Sequence, residues 1–428
     1  MSIEAQLSDF AIVEAVDGAA LEMMRLSLFD WAACGIAGAS EPLAGILRGH
    51  VGAEGGTGSA TVIGGAKAPP RASALVNGAT SHALDYDDTH FAHIGHPSVA
   101  VIPAALAMAE VRGADMAALL QAALVGTEGS VRIGLWLGRG HYAAGFHQTA
   151  TAGAFGATLS GIRLTGLHGV AARRALGIAA SRAGGVRAQF GTMAKPLNAG
   201  LAAETGVEAT LLAVAGFESA PEALSGPQGY GETHLGEGHA DAFDGLGHDW
   251  RMLEISHKFH ACCHGLHAML EAVGTLKVDP QDVIAVTIRT HPRWMTVCNN
   301  PDPSTGLQAK FSYRLSCAMA LAGVPTAAIS SFTDAACAEP RLVALRDSVQ
   351  VEADDSLTEM QARVSIETRD GAQQTAFHDL AAPIPFDLRA QKLRLKAEGL
   401  LGTERADRLW QAVHAADLGP LLALLAAA

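Results

Sequence analysis

Aromatic and charged residues are scarce in this chain. Of its 428 residues, 5% are aromatic and 17% are charged, and the formal net charge is −13. Nucleic-acid binding needs a basic face, so this charge argues against a nucleic-acid partner, and it argues equally against an anionic membrane surface. The six cysteines stand at irregular positions that do not form a disulfide framework, so we expect reduced thiols.

Long apolar runs are also missing. The longest one near the N-terminus, residues 26–39, contains Asp30 and two glycines and is too short to span a bilayer. No basic region followed by an apolar stretch stands at the N-terminus, which argues against a secretory signal. These absences predict a cytoplasmic protein without a membrane partner.

Small and aliphatic residues are abundant instead. Hydrophobic residues make up 49% of the chain, and 47 residues are glycine. Such a composition suits helices that pack closely, because small side chains let two backbones approach each other. A helical period runs through much of the first 250 residues, for example in 99–111, 116–125 and 206–217.

The pattern changes after about residue 254. Residues 283–289 and 363–368 are rich in β-branched side chains and predict strands, residues 349–352 predict a third strand, and 369–371 predict a hairpin turn. We therefore predict a mainly α protein with two domains. Residues 1–253 and 385–428 would form a large all-helical domain, and residues 254–384 would form an inserted, smaller α+β lid domain.

Residues 77–98 hold the densest group of ionisable side chains, three aspartates and four histidines between apolar runs. Burying so many such groups is costly unless they are paired or used in chemistry. If residues 82–89 are helical, Asp85 shares a face with His82 and with Thr89. These side chains and His96 would then line one pocket.

Three cationic or titratable residues stand where helices are expected to begin. His96 and Lys195 each precede a proline, which favours a helix N-cap at both positions, and His147 precedes an Ala/Gly-rich helical stretch. Free amides and the helix dipole attract anions at such starts. If the three starts converge, with Arg139 and Lys258 adding charge, they suit a small di- or tricarboxylate.

A metal site is the alternative interpretation of the same segment. The available ligands are Asp85, Asp87, Asp88, His90, His93 and His96. Their spacing matches no standard ligand pattern, and adjacent aspartates on a helix face different ways. A second candidate is His260, His264 and His267 on one helical face, but the cysteines between them do not form Cys-x-x-Cys. No glycine-rich phosphate loop follows a strand, so we predict neither a metal nor an organic cofactor.

Several motifs occur in one order along most of the chain. They are residues 77–78, 82–89, 95–98, 138–142, 146–147, 191–196 and 310–313, together with Lys258 and His267. In these motifs the chain resembles the MmgE/PrpD family, which includes 2-methylcitrate dehydratase, cis-aconitate decarboxylase and iminodisuccinate epimerase. The resemblance implies a large helical domain with an α+β lid, a homodimer, and an enzyme without metal or organic cofactor.

The resemblance also implies site residues. Decarboxylase-type members surround their substrate with the counterparts of Asp85, Thr89, His96, His147, Lys195 and Tyr313. The spacing between Asp88 and His96 is more similar to the epimerase, whereas the threonine at position 89 is typical of the lyases. We therefore predict a lyase, a dehydratase or decarboxylase, acting at a carbon alpha to a carboxylate of a small polycarboxylate. An epimerase is the alternative, and a non-catalytic carboxylate-binding protein is the alternative from a different class.

All of these reactions place a carbanion beside a carboxylate. We predict that Lys195 and His147 hold substrate carboxylates and stabilise the developing charge, that His96 transfers the proton, and that Asp85 orients a histidine or lysine partner. The predicted substrate-binding residues are His82, Thr89, Arg139, Lys258 and Tyr313.

Overall fold

The computed structural model describes residues 1–13 and 16–428, and their contacts divide them into two units. One unit comprises Met1–His257 and Leu401–Ala428, and the other comprises Lys258–Leu400. The mainly helical fold class is confirmed, with one small four-stranded sheet in the described part of the chain. No helix within the described residues is both long enough and apolar enough to cross a bilayer.

The first unit is built of helices. Its N-terminal part contains α1 (Ile3–Ala11), α2 (Gly18–Gly38), α3 (Pro42–Glu54), α4 (Pro70–Ser81), α5 (Pro97–Arg112), α6 (Met116–Ala143), α7 (Gln148–Thr165), α8 (Gly169–Ala180), α9 (Ala194–Val214) and α10 (Tyr230–Thr233). The predicted helical stretches 99–111 and 116–125 lie in α5 and α6, and 206–217 overlaps α9.

Small residues set the spacing of these helices. A Cβ atom at Gly78 of α4 would lie 2.8 Å from the Cα atom of Gly200 in α9. A Cβ atom at Gly126 of α6 would lie 2.5 Å from the carbonyl oxygen of Gly156 in α7. Such contacts are shorter than real Cβ atoms tolerate, so glycine is required at these crossings. The glycine-rich composition therefore has a direct role in packing the helices that carry the site described below.

The second unit combines helices with the sheet. It contains α11 (His267–Thr275), β1 (Val283–Thr290), α12 (Pro292–Val297), α13 (Gly306–Ala309), α14 (Tyr313–Leu321), α15 (Asp334–Ala338), α16 (Pro340–Asp347), β2 (Val349–Ala353), β3 (Gln361–Thr368), β4 (Gln373–Asp379) and α17 (Phe386–Leu401). The strand order is β2-β1-β3-β4, with β1 and β2 parallel and the other pairs antiparallel. The three predicted strands are confirmed, and Gly371 (φ +82°) lies in the hairpin turn between β3 and β4.

Two helices, α18 (Thr403–Val413) and α19 (Gly419–Ala426), complete the first unit. Most of α17 groups with the second unit, so the unit boundary at Leu401 lies one helix beyond the predicted boundary at residue 385. The prediction of a single helical face for His260, His264 and His267 is wrong, because α11 begins only at His267.

Candidate active site

The ionisable segment after α4 does not continue the helix. α4 ends at Ser81, and residues 82–88 form turns. Asp85 has a φ of +50°, in the left-handed region that few residues other than glycine, asparagine and aspartate adopt. The helix considered for residues 82–89, which would have put Asp85 and Thr89 on one face, therefore does not form. The turn buries Tyr86 to 2% exposure and leaves the Asp85 side chain 49% exposed.

Two predicted helix starts are confirmed, and the third differs slightly. His96 is the N-cap of α5, and His147 is the N-cap of α7. The backbone N–H of His96 donates to Thr149 Oγ1 at 3.0 Å, which ties the start of α5 to the start of α7. Lys195 is not an N-cap, because α9 begins at Ala194 and the lysine is its second residue.

Three of the predicted catalytic residues are in direct contact. Lys195 Nζ lies 2.7 Å from Asp85 Oδ1, and His96 Nε2 lies 3.3 Å from the same oxygen. The lysine side chain is 15% exposed and that of the histidine 11%, so both cations are largely shielded from solvent. The carboxylate of Asp85 thus joins an ammonium and an imidazole at one place in the first unit.

Asp87 connects the same cluster to a second histidine. Its Oδ1 is 2.8 Å from His82 Nδ1, and its Oδ2 is 2.9 Å from His96 Nδ1. Burial alone would raise the pKa of Asp87, but attraction to the His82 and His96 rings and hydrogen bonding with them hold the pKa well below its ordinary value. From the sequence Asp87 was a candidate only as a metal ligand, and its signal was its place beside Asp85 in an acidic run.

These contacts define the charge on His96. Both of its ring nitrogens face carboxylate oxygens, and an ionised carboxylate can only accept hydrogen bonds. This position between two carboxylates favours a proton on each nitrogen, which makes the ring an imidazolium. Two carboxylates, Asp85 and Asp87, then balance two cations, His96 and Lys195. The arrangement presents a proton donor beside a fixed ammonium.

His147 is held as a neutral ring. Asn198 Nδ2 lies 3.2 Å from His147 Nδ1 and donates to it, which leaves the other nitrogen, Nε2, to carry the proton. Burial, with smaller contributions from the nearby His82 ring and the ammonium of Lys195, lowers the pKa of His147 to about 2. Asn198 was missed by the sequence analysis, although it stands one helical turn after Lys195 in α9.

Ring contacts place His147 in the same group of side chains. Its centroid is 6.4 Å from that of His82, and the His82 centroid is 4.6 Å from that of His96. Phe190 meets His147 edge-on at 5.0 Å, and Lys195 Nζ lies 5.4 Å from the centre of the Phe190 ring. All four predicted catalytic residues and His82 therefore belong to one cluster.

The cluster also has the atoms that a metal ion would use. Ligand atoms of His82, Asp85, Asp87 and His96 all lie within 4.8 Å of one another. However, the ammonium of Lys195 already contacts Asp85 Oδ1 at 2.7 Å, and a divalent cation would be repelled by it. The donor set therefore fits an organic anion beside Lys195 better than a metal ion.

Four predicted substrate-binding residues are not part of these contacts as described. Thr89 Oγ1 donates to the Ser256 carbonyl at 3.2 Å, and Arg139 is exposed. In the second unit Lys258 is 4% exposed, and the hydroxyl of Tyr313 donates to the Gly265 carbonyl at 2.6 Å. Substrate contacts by Thr89, Arg139, Lys258 and Tyr313 stay predictions.

Comparison with known proteins agrees with the motifs. The MmgE/PrpD N-terminal domain matches residues 5–242, and the MmgE/PrpD C-terminal domain matches residues 260–418. Cis-aconitate decarboxylase of Homo sapiens is 26% identical over 375 residues, which cover 80% of this chain and 75% of the relative. The Mus musculus enzyme of that name is 29% identical over 376 residues, 80% of this chain and 74% of the relative.

A fungal relative is similar over a shorter stretch. Cis-aconitate decarboxylase of Aspergillus terreus is 31% identical over 236 residues, which cover 51% of this chain and 48% of the relative. Since the two domain matches together span most of the sequence, the chain belongs to the MmgE/PrpD family.

Proposed function

We propose that this protein is a lyase that acts at a carbon alpha to a carboxylate of a small di- or tricarboxylate, with decarboxylation as the favoured reaction. The observation that carries the proposal is His96, whose two ring nitrogens face Asp85 and Asp87 beside the ammonium of Lys195. A decarboxylase needs one proton donor and a fixed positive charge, and this cluster has both. The cis-aconitate decarboxylases among the relatives support the same class.

The substrate would compete with Asp85 for its two cationic partners. Asp85 is half exposed and its contacts are with Lys195 and His96, so a substrate carboxylate can replace it at the same nitrogen atoms. The helix starts at His96 and His147 add the positive ends of α5 and α7 to this region. The resting ion pair thus marks where a substrate anion would bind.

In the chemical step, the substrate loses one carboxylate as CO₂ and gains one proton. The bond between the substrate carbon and one carboxylate breaks, CO₂ leaves, and the electron pair stays on the carbon, delocalised into a conjugated carboxylate. Lys195 and the Nε2–H of neutral His147 stabilise that negative charge. His96 donates its Nε2 proton to the carbon, and the product has one carboxylate fewer and one hydrogen more. Solvent returns a proton to His96 for the next turnover.

One observation favours the alternative, an epimerase, and also suits a lyase that removes water. His82 is 1% exposed and its Nε2 has no hydrogen-bond partner among the described residues, so it offers a second proton-handling atom near His96. Epimerisation needs an acceptor and a donor on opposite faces of one carbon, and dehydration needs an acid for the leaving hydroxyl. The experiment below separates these outcomes.

The test is turnover in D₂O, followed by NMR, on cis-aconitate, citrate, 2-methylcitrate and aminodicarboxylates. We expect CO₂ release from an unsaturated tricarboxylate and one solvent deuterium in the product. His96→Gln should lower kcat by roughly 10²- to 10⁴-fold, the range for a lost acid–base group. His50→Gln is the matched control, because the His50 side chain is 61% exposed and pairs with a surface glutamate, Glu54.

Other results would point elsewhere. Exchange of a substrate C–H without loss of CO₂ or water would identify an epimerase, and loss of water would identify a dehydratase. Saturable binding without turnover or exchange across the whole panel would contradict the lyase and leave a carboxylate-binding protein. Wild-type kcat in His96→Gln would remove that residue from the mechanism.

The remaining parts of the proposal concern the whole protein. The α+β segment over 254–384 would close over the bound substrate and exclude water. A homodimer and a cytoplasmic location complete it. Light scattering after gel filtration tests the dimer, and substrate-dependent protection of residues 254–384 from hydrogen exchange tests the closure.

A further inference from the structure

The buried carboxylate of Asp87 contacts two imidazole rings. Asp87 is 1% exposed, its Oδ1 lies 2.8 Å from His82 Nδ1, and its Oδ2 lies 2.9 Å from His96 Nδ1. Asp85 differs, because it is half exposed and shares a single oxygen between Lys195 and His96. Asp87 would therefore keep its partners when a substrate displaces Asp85.

We infer that Asp87 is a positioning residue that holds His82 and His96 with their Nδ1 atoms protonated, so that Nε2 of each ring is the working atom. An ionised carboxylate only accepts, so His82 Nδ1 must donate to Asp87 Oδ1, and the 2.9 Å approach of Asp87 Oδ2 favours a proton on His96 Nδ1 as well. Nε2 of His96 then faces Asp85 as a donor, and Nε2 of His82 stays an acceptor without a partner among the described residues. Asp87 acts through these rings and does not itself touch the substrate.

The neighbouring aspartate shows that the arrangement is specific. Asp88 is equally buried, but its Oδ2 accepts from Ser98 Oγ at 2.5 Å and its environment includes Asp30 instead of a histidine. The turn after α4 thus places the adjacent carboxylates of Asp87 and Asp88 against different partners. Asp88 is for this reason a matched control for Asp87.

The charge of Asp87 should also support the acid form of His96. The other charged or titratable groups near that ring are Asp85, Lys195, His82, His93 and His147. Two of its neighbours carry negative charge, and Asp87 is the one that stays buried, where attraction is least screened. Loss of this charge should let the imidazolium of His96 release its proton at lower pH.

The first arm of the test reads the ring nitrogens directly. ¹⁵N NMR of histidine-labelled protein, assigned with His82→Gln and His96→Gln, distinguishes protonated from unprotonated nitrogens. We expect protonated Nδ1 on both rings of the wild type and unprotonated Nε2 on His82. Asp87→Asn should change the state of at least one ring, because its amide can accept at one Nδ1 but must donate at the other. Asp88→Asn should leave both rings unchanged.

The second arm is kinetic and rests on the proposed function. Asp87→Asn should lower kcat by roughly 10²-fold or more with a smaller change in KM, as expected for a misoriented proton donor. The alkaline limb of its kcat–pH profile should move down by about one pH unit or more, the usual effect of removing an adjacent opposite charge. A purely structural role would lower the melting temperature without moving this limb.

The two arms fail separately. An unprotonated Nδ1 on either wild-type ring, or unchanged ring states in Asp87→Asn, overturns the inference whatever the enzyme does. Wild-type kcat and an unmoved alkaline limb in a folded Asp87→Asn also overturn it. If the wild type turns over no carboxylate, the proposed function fails while the ring states still decide the role of Asp87. If Asp87→Asn does not fold, the wild-type ring states decide alone.

Discussion

Replacing Lys195 by methionine tests the fixed positive charge of the site. The ammonium lies 2.7 Å from Asp85 Oδ1, and at an effective dielectric constant of about 20 two opposite unit charges at that separation attract by about 6 kcal/mol. A substrate carboxylate in the place of Asp85 would gain a similar attraction. Solvent at the half-exposed position and the cost of removing both charges from water reduce this to roughly 3–4 kcal/mol. We therefore expect kcat/KM of Lys195→Met to fall by about 10²- to 10³-fold.

The assay is initial-rate kinetics on the substrate that the NMR panel identifies, together with thermal unfolding of each variant. Lys67→Met is the matched control, because Lys67 also forms an ion pair, at 3.0 Å from Glu110, but its side chain is 56% exposed. Its kcat/KM should stay close to that of the wild type. A Lys195→Met protein with an unchanged melting temperature and a kcat/KM within about threefold of wild type would refute the reasoning, because a charge that contributes several kcal/mol cannot be lost at so small a cost.

Three further predictions concern the support of the site and of the fold. Asn198→Asp should raise the pKa of His147 from about 2 and move its proton to Nδ1, because a carboxylate can only accept a hydrogen bond. ¹⁵N NMR of His147 measures the change, and an unaltered ring would contradict the assignment of Asn198 as the donor. Burial, with a contribution from the charge of Asp30, raises the pKa of Asp88 to about 7. The contribution of Asp88 to the unfolding free energy is therefore largest below about pH 4, where Asp88 is neutral in both the folded and unfolded states, and it is lost as pH rises toward 7. Asp88→Asn should therefore gain unfolding free energy relative to wild type between pH 5 and 8, by up to about 4 kcal/mol in urea titrations, and a pH-independent difference would contradict the shift. Gly156→Ala should lower the unfolding free energy by about 1–3 kcal/mol, since its Cβ would lie 2.5 Å from a carbonyl oxygen of α6, whereas Gly274→Ala meets no described atom within 4 Å and should be neutral or slightly stabilising.

The local features of the fold could be predicted well. The β-branched runs predicted three strands, and the dipeptide of His96 and Pro97 predicted the start of α5, because propensity and the missing proline N–H act within a few residues. The turn after α4 could not be recognised from the sequence, which left a helix over residues 82–89 open. Its residues fit a helical period, but Asp85 adopts a left-handed conformation while the ring of Tyr86 is buried in the first unit.

Four members of the cluster were also selected from the sequence, because the density of ionisable groups and the family motifs both pointed to His96, Asp85, Lys195 and His147. Their contacts were not. Spacing along the chain could not show that Asp87 meets two histidines, because this depends on a non-helical turn. Nor could it show that Asn198 donates to His147, because these residues lie on different helices.

The sequence by itself determined which segments are helices or strands and which side chains are available for chemistry, because these follow from neighbouring residues. The tertiary structure alone decided which side chains meet. Glycine contacts between α4 and α9 and between α6 and α7 set how closely the helices approach, and the turn at Asp85 sets where each carboxylate points. Charge interactions decline with distance, so the protonation of His96 and the place for a substrate anion depend on that packing.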